Sequence, residues 1–369
     1  MFRPVALLLC LAPAGAQAIE TMRIAMGDAA AEVRLSGRAL AFGADAEDGT
    51  FTAVSSGRAT VKRVNGRLTL NGAPVVGDAL RFRAGGAPRD AGAPGDESIK
   101  VAELQVRGDV VVRLNRGALQ LVDVLPLEDY LVGVLGSEMP RTFPDEALKA
   151  QAIAARTYAL YKKLQAYGQP FHMGSSVLSQ VYGGLAAEDE RTRAAVEATR
   201  GMVLTYELAP IEAYFHASCG GRTEAGLEAL GRDLPYLTPV DCPCAKLPAS
   251  RWSLTVSAAE LQTALGGGKG EAGLEVASRT ATGRVRRLRL GSDRQLDAVT
   301  FREKLGYTQV KSLWFDVQRG KGSVTLVGRG YGHGAGLCQW GAKALADQGW
   351  DYARILEHYY PGTELQALY

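Results

Sequence analysis

One carboxyl group stands where a carboxylate is costly to ionise. Glu138 continues the four-, three- and four-residue steps set by Leu127, Leu131 and Val134, so it shares the apolar face of a helix. It lies in that helix's last turn, just ahead of Pro140. Burial disfavours the charged form, and the negative end of the helix dipole penalises it again. Both effects strengthen its hold on a proton, as a general acid working near neutral pH requires. The competing expectation is structural: a Glu138 side chain paired with Lys149 or Arg156.

Lys149, Arg156 and Lys163 recur at seven-residue spacing and form a cationic stripe. By default such a stripe is a solvated helix face; as a binding surface it would recognise carboxylate or acetamido groups, Arg with a planar fork of donors. The four histidines, His172, His216, His333 and His358, form no HExxH pair, which leaves a zinc protease or amidase without support. A nucleophilic Cys338/His333 pair is weak, because the residues stand five apart and Cys338 has other uses. The alternating Gly328, Gly330, Gly332, Gly334 and Gly336 lack the GK[ST] ending of a phosphate cradle. They suit close approach of backbone to a ligand instead.

The elements that must position these groups are legible in outline. Pro126, with Glu128 and Asp129 behind it, starts the helix that carries Glu138. Pro144, with Asp145 and Glu146, starts a second that runs through Ala147–Leu164 and stops before Gly168, with Leu148, Ala152, Ala155 and Ala159 as a narrow packing face. Residues 19–115 read as short strands and turns, with Asn65-Gly66 and Asn71-Gly72 as hairpin signals and Gly85–Gly95 as a loop. Ile211–Ala217, Val285–Leu290 and Ser323–Val327 are strand-like, Ser257–Leu265 is helical, and a last helix near Leu337–Gln348 ends at Gly349. The expected architecture is α+β. A mixed helix/strand region at 116–369, with a smaller inserted subdomain at about 250–320, follows a mainly β accessory unit at 19–115.

At the N-terminus, Arg3, the apolar run Val5–Ala12 and Ala16-Gln17-Ala18 have the layout of a secretory leader over residues 1–18. The run is too short to span a bilayer, so no transmembrane anchor is expected. Leu9 stands where a lipoprotein would have a small residue before Cys10. Export leaves Cys219, Cys242, Cys244 and Cys338 in an oxidising compartment, and two disulfides are the first expectation. A four-thiolate or thiolate/His216 zinc site is the alternative, although a single residue separates Cys242 from Cys244. With 369 residues, 47% apolar and 22% charged, the chain has globular composition, and a net charge of +3 without basic blocks does not suit nucleic acid.

The run Leu127-Glu128-Asp129-Tyr130-Leu131-Val132-Gly133-Val134-Leu135-Gly136-Ser137-Glu138-Met139-Pro140 resembles the signature of the stage II sporulation protein D (SpoIID/LytB) family. So does its continuation, Glu146 to Tyr158. Three later blocks, Ser179–Gly184, Ser218–Glu224 and Gly330–Ala342, match in the family's order, so the resemblance covers roughly Val110 to Tyr369.

That resemblance implies a periplasmic or cell-envelope lytic transglycosylase that cuts the MurNAc–GlcNAc bond of peptidoglycan glycan strands, with Glu138 catalytic and no required cofactor. A neighbouring acetamido group on the sugar can replace the second carboxylate of a retaining glycosidase. One glutamate can then protonate the leaving oxygen and afterwards accept a proton from the sugar's 6-hydroxyl. A hydrolytic outcome stays open. The candidates for substrate contact are Lys149, Arg156, Gln180, Tyr182, Tyr214, Ser218, His333 and Gln339. Some members carry a His/Cys zinc site just before the Gln-Val-Tyr block, but Tyr167–Ser179 here holds only His172 and no Cys, so that site is not expected. Related proteins are amidase enhancers. An N-acetylmuramoyl-L-alanine amidase is therefore an expected partner, and glycan binding without turnover the alternative function.

Overall fold

Alternation of apolar and polar residues builds the N-terminal half. In the strand Glu32–Gly37, Val33 and Leu35 are buried while Arg34 faces solvent, and Ala59 and Val61 answer them from Arg58–Val64 across an antiparallel ladder. The computed structural model describes residues 20–369 except 30, 47–48, 86–96, 176–179, 247–249, 267–272 and 292–293. The expected leader and most of the Gly85–Gly95 loop lie outside the described residues.

Two sheets form this half. A seven-stranded sheet runs in the order Met173–Gly174, Thr21–Ala29, Ala118–Pro126, Asp109–Asn115, Ala79–Arg83, Ala41–Gly43, Thr52–Ala53. A six-stranded sheet contains Glu32–Gly37 and Arg58–Val64 at its centre. Asp109–Asn115 and Ala118–Pro126 form a hairpin that pairs Val110 with Asp123. The expected boundary between 115 and 116 falls in its turn, and one hydrophobic core continues from Met22 and Ile24 into the helices beyond.

Eight helices are described: α1 (Leu127–Glu138), α2 (Asp145–Gln165), α3 (Glu190–Ala198), α4 (Gly226–Leu230), α5 (Ala258–Leu265), α6 (Ala298–Leu305), α7 (Gln339–Ala346) and α8 (Tyr352–Tyr359). Pro126 and Pro144 cap α1 and α2 as expected. The burial of α2 is wider than the narrow face read from its alanines: α1, α3, α7 and α8 all pack on it, and residues 150–160 are buried without a break. Gly349 does not end the last helix, because α8 follows, capped by the Asp351 side chain. The closing strand Glu364–Ala367 pairs with Met202–Tyr206. Ile211–Ala217, read as a strand, contributes only Phe215–His216, which pairs in parallel with Leu337–Cys338.

A second core gathers Trp252, Leu261, Leu288, Phe301, Phe315 and Leu326, among others. Its chain enters along Arg251–Ser257 and leaves along Ser323–Arg329, antiparallel neighbours that pair Arg251 with Arg329. A capping box at Ser257 starts α5 there. Mixed helices and several separate sheets make this an α+β fold.

Candidate active site

Helix α1 delivers Glu138 from its last turn, and Met139 closes the helix by donating its N–H to the Leu135 carbonyl at 3.1 Å. Leu127, Leu131 and Val134 are buried, so the apolar stripe does carry the carboxyl inward, to a half-buried position. Two donors meet it there. The Val181 N–H reaches Oε1 at 3.0 Å, and the Gln339 side-chain amide, the first residue of α7, reaches Oε2 at 3.3 Å. Desolvation raises the Glu138 pKa above the ordinary carboxylate value, and these two hydrogen bonds pull it partly back.

Neither expected structural partner takes Glu138. Lys149 binds Glu146 at 2.7 Å and lies 5.9 Å from the Tyr352 ring, while Glu146 accepts the Tyr352 N–H at 2.8 Å. Arg156 belongs to the interior, which corrects its assignment to a solvated stripe and to substrate contact. It is fully buried because α2 is covered on all sides. It forks onto Glu128 at 2.8 and 2.6 Å and reaches the Val196 and Met202 carbonyls at 3.1 and 3.2 Å. Of the stripe, Lys163 turns to Glu20.

Apart from Gln339, the other candidates bond to groups other than the carboxyl. Gln180 is buried, accepting the Tyr130 hydroxyl at 2.9 Å and donating to the Ala155 carbonyl at 3.0 Å. It thereby anchors the backbone that presents Val181. Tyr182 is buried against Tyr130 and donates to Asp123 at 2.8 Å. The Tyr214 hydroxyl donates to Glu212 at 2.7 Å. Ser218 is buried with its hydroxyl 2.8 Å from that of Ser250. His333 accepts the Ala335 N–H at Nδ1 (3.2 Å), so its Nε2–H donates to the Phe215 carbonyl (2.9 Å). Burial pushes its pKa down to about 4, and it is a neutral clip between two segments. Among the candidates, it is Gln339 whose side chain hydrogen-bonds Glu138.

The cysteines correct the expectation of two disulfides. Cys219, Cys242, Cys244 and Cys338 are buried free thiols whose sulfurs all lie within 4.8 Å of one another. Cys219 Sγ and Cys244 Sγ are 3.4 Å apart, far beyond the ~2.05 Å of an S–S bond. The group could bind a metal. His216 stands outside it, with Nδ1 on the Ala335 carbonyl at 3.1 Å.

Residues 115–206 match the family described as Stage II sporulation protein. Over 290 residues the chain is 34% identical to the stage II sporulation protein D of Bacillus subtilis (strain 168), across 72% of this chain and 82% of that protein. The chain belongs to the stage II sporulation protein D family. It is also 34% identical over 250 residues to an uncharacterized protein of Brachyspira hyodysenteriae, across 66% of this chain and 68% of that one. With the amidase enhancer of Bacillus subtilis it shares 32% identity over 292 residues, across 64% of this chain but only 40% of that protein. The matched segment of the SpoIID family contains Glu138, Gln180 and Val181 and stops before Cys219.

Sequence reasoning missed two features of this site. Val181 acts through its backbone N–H, which no residue type announces. Arg284, from the second core, donates to the Cys219 and Arg222 carbonyls at 2.8 Å each. Among the described residues no helix is long and apolar enough to cross a membrane.

Proposed function

We propose that this chain is an exported cell-envelope enzyme that cuts peptidoglycan glycan strands at the MurNAc–GlcNAc bond by lytic transglycosylation, with Glu138 as its single acid/base. The observation that carries the reading is the balance at Glu138: desolvation favours its proton, and two donors keep the carboxylate viable once the proton has left. Protonated Glu138 gives its proton to the glycosidic oxygen as the bond to the muramyl carbon breaks. The sugar's acetamido oxygen shields the cation, the 6-hydroxyl oxygen then bonds to that carbon, and its proton returns to Glu138. The product is an anhydro sugar, with no water consumed. The transfers use no cofactor.

The test is mass spectrometry of products released from purified sacculi, with and without prior amidase treatment, by the wild type and by Glu138→Gln. The substitution is nearly isosteric and removes the titrating proton, so a stable variant is expected to lose ~10²–10⁴-fold or more in rate. Anhydro-ended fragments are expected from the wild type; reducing ends would make it a hydrolase. Full cleavage by a well-folded Glu138→Gln protein would overturn the reading. The amidase enhancer among its relatives favours one second reading, a glycan-binding partner of an N-acetylmuramoyl-L-alanine amidase. Such a protein would release no soluble glycan and would be indifferent to Glu138→Gln.

A further inference from the structure

We infer that Cys219, Cys242, Cys244 and Cys338 hold one zinc ion in a closed four-thiolate site, and that this ion fixes the start of α7 and with it Gln339. Three stretches of chain distant in sequence converge here. Cys219 follows the strand Phe215–His216, Cys242 and Cys244 flank the start of the turn Pro243–Lys246, and Cys338 ends the strand Leu337–Cys338. Tetrahedral zinc–thiolate bonds of ~2.3 Å set sulfurs about 3.8 Å apart. Four sulfurs within 4.8 Å of one another, with Cys219 and Cys244 3.4 Å apart, need only small shifts to meet that geometry.

The surroundings suit thiolates. Cys338 Sγ accepts the Cys219 and Gly341 N–H groups at 3.3 Å each, Ser218 donates to Cys244 Sγ at 3.6 Å, and the Tyr359 hydroxyl lies 3.1 Å from Cys242 Sγ. Outer donors of this kind orient and stabilise metal-bound sulfur. The buried Arg284 guanidinium, on the Cys219 carbonyl at 2.8 Å, supplies positive charge beside a cluster that carries net negative charge with zinc bound. Gly341 is required for the approach of α7, because a Cβ there would fall 2.4 Å from Cys242 Sγ. With all four ligands from the protein and all four buried, no position is left for water or substrate, so the ion is structural. Cys338 also caps α7, accepting the Gly341 N–H, and the next residue, Gln339, donates to Glu138. The link to catalysis rests on the proposed role of Glu138; the metal site does not.

The experiment uses the full chain, purified without chelator or reductant from zinc-supplied cells. Zinc is measured by plasma mass spectrometry, and thiols are counted in denaturant with chelator present. About one zinc per chain with the four cysteines reduced is expected, as is a cobalt(II)-exchanged protein with the visible bands of a tetrahedral site and thiolate charge transfer. Cys244→Ser should lose the metal. Should that variant fold poorly, stripping the wild type with a chelator should lower its melting temperature, and zinc should restore it. Any disulfide among the four, or four thiols without metal in zinc-supplied protein, overturns the inference. Neither readout depends on glycan cleavage, so an active Glu138→Gln would sink the proposed enzyme and leave the metal site standing.

Discussion

Two acids in this molecule hold protons for the same reason and to different ends. Glu138 is half-buried, and its raised pKa predicts that the proposed cleavage falls as rising pH removes the acid form. Asp123 is fully buried under Tyr182, and desolvation, reinforced by Asp109 and Asp129, pushes its pKa up to about 7. Between its unfolded value near 3.8 and about 7, the folded state binds more protons than the unfolded chain, so stability is lost as pH rises through that window. Asp123→Asn can still accept the Tyr182 hydroxyl and cannot ionise. The wild type should therefore lose more melting temperature than Asp123→Asn between pH 5 and 8, and parallel pH curves would contradict this.

Helices α1 and α2 were legible because their signals are local: a proline, two acids, and apolar residues at helical steps. What lies against them was not. Glu128, the partner of Arg156, is 28 residues away on another helix, and seven-residue spacing cannot distinguish a solvated stripe from a buried one. The cysteines likewise showed their number but not their meeting, which depends on a parallel pairing of 215–216 with 337–338. The α8 pattern is in the sequence, Asp351 followed by Ile355, Leu356 and Tyr359 on one face, but Gly349 reads as a stop just ahead of it. Helix α1 also carries a glycine whose purpose is tertiary. A Cβ on Gly136 would lie 1.9 Å from the Ala187 carbonyl oxygen, in the turn Gly184–Ala187. In an open helix Gly→Ala stabilises by about 1 kcal/mol. Here Gly136→Ala should instead lower the melting temperature and, by displacing that turn from α1, cut the proposed glycan cleavage; a stabilised variant would refute the packing argument.

Across the whole molecule, the second core is joined to the first by more than its two connecting strands. Glu224, buried on the main body, accepts the Thr280 and Thr282 hydroxyls at 2.6 and 2.5 Å and faces Arg284 at 3.7 Å. Breaking a buried pair leaves an uncompensated charge and costs about 3–5 kcal/mol, whereas an exposed pair such as Arg286–Glu228 contributes ~0–1 kcal/mol. Calorimetry should show one transition for the wild type and for Arg286→Ala. For Arg284→Ala it should show a lowered transition that splits as the two cores uncouple. Equal behaviour of the two variants would mean that the clamp does not link them.

The pairing of Glu138 with Gln339 spans 201 residues of chain. A ribosome makes the acid 201 residues before its side-chain donor, and the partner strand for 202–206 comes later still. Closing so long a loop is slow and entropically unfavourable until the rest of the fold rewards it. A nascent or prematurely ended chain thus carries the carboxyl without the clamp that sets it. If the proposed wall-cutting function holds, activity would begin only once Gln339 has been made and docked, a timing enforced by chain connectivity rather than by an inhibitor.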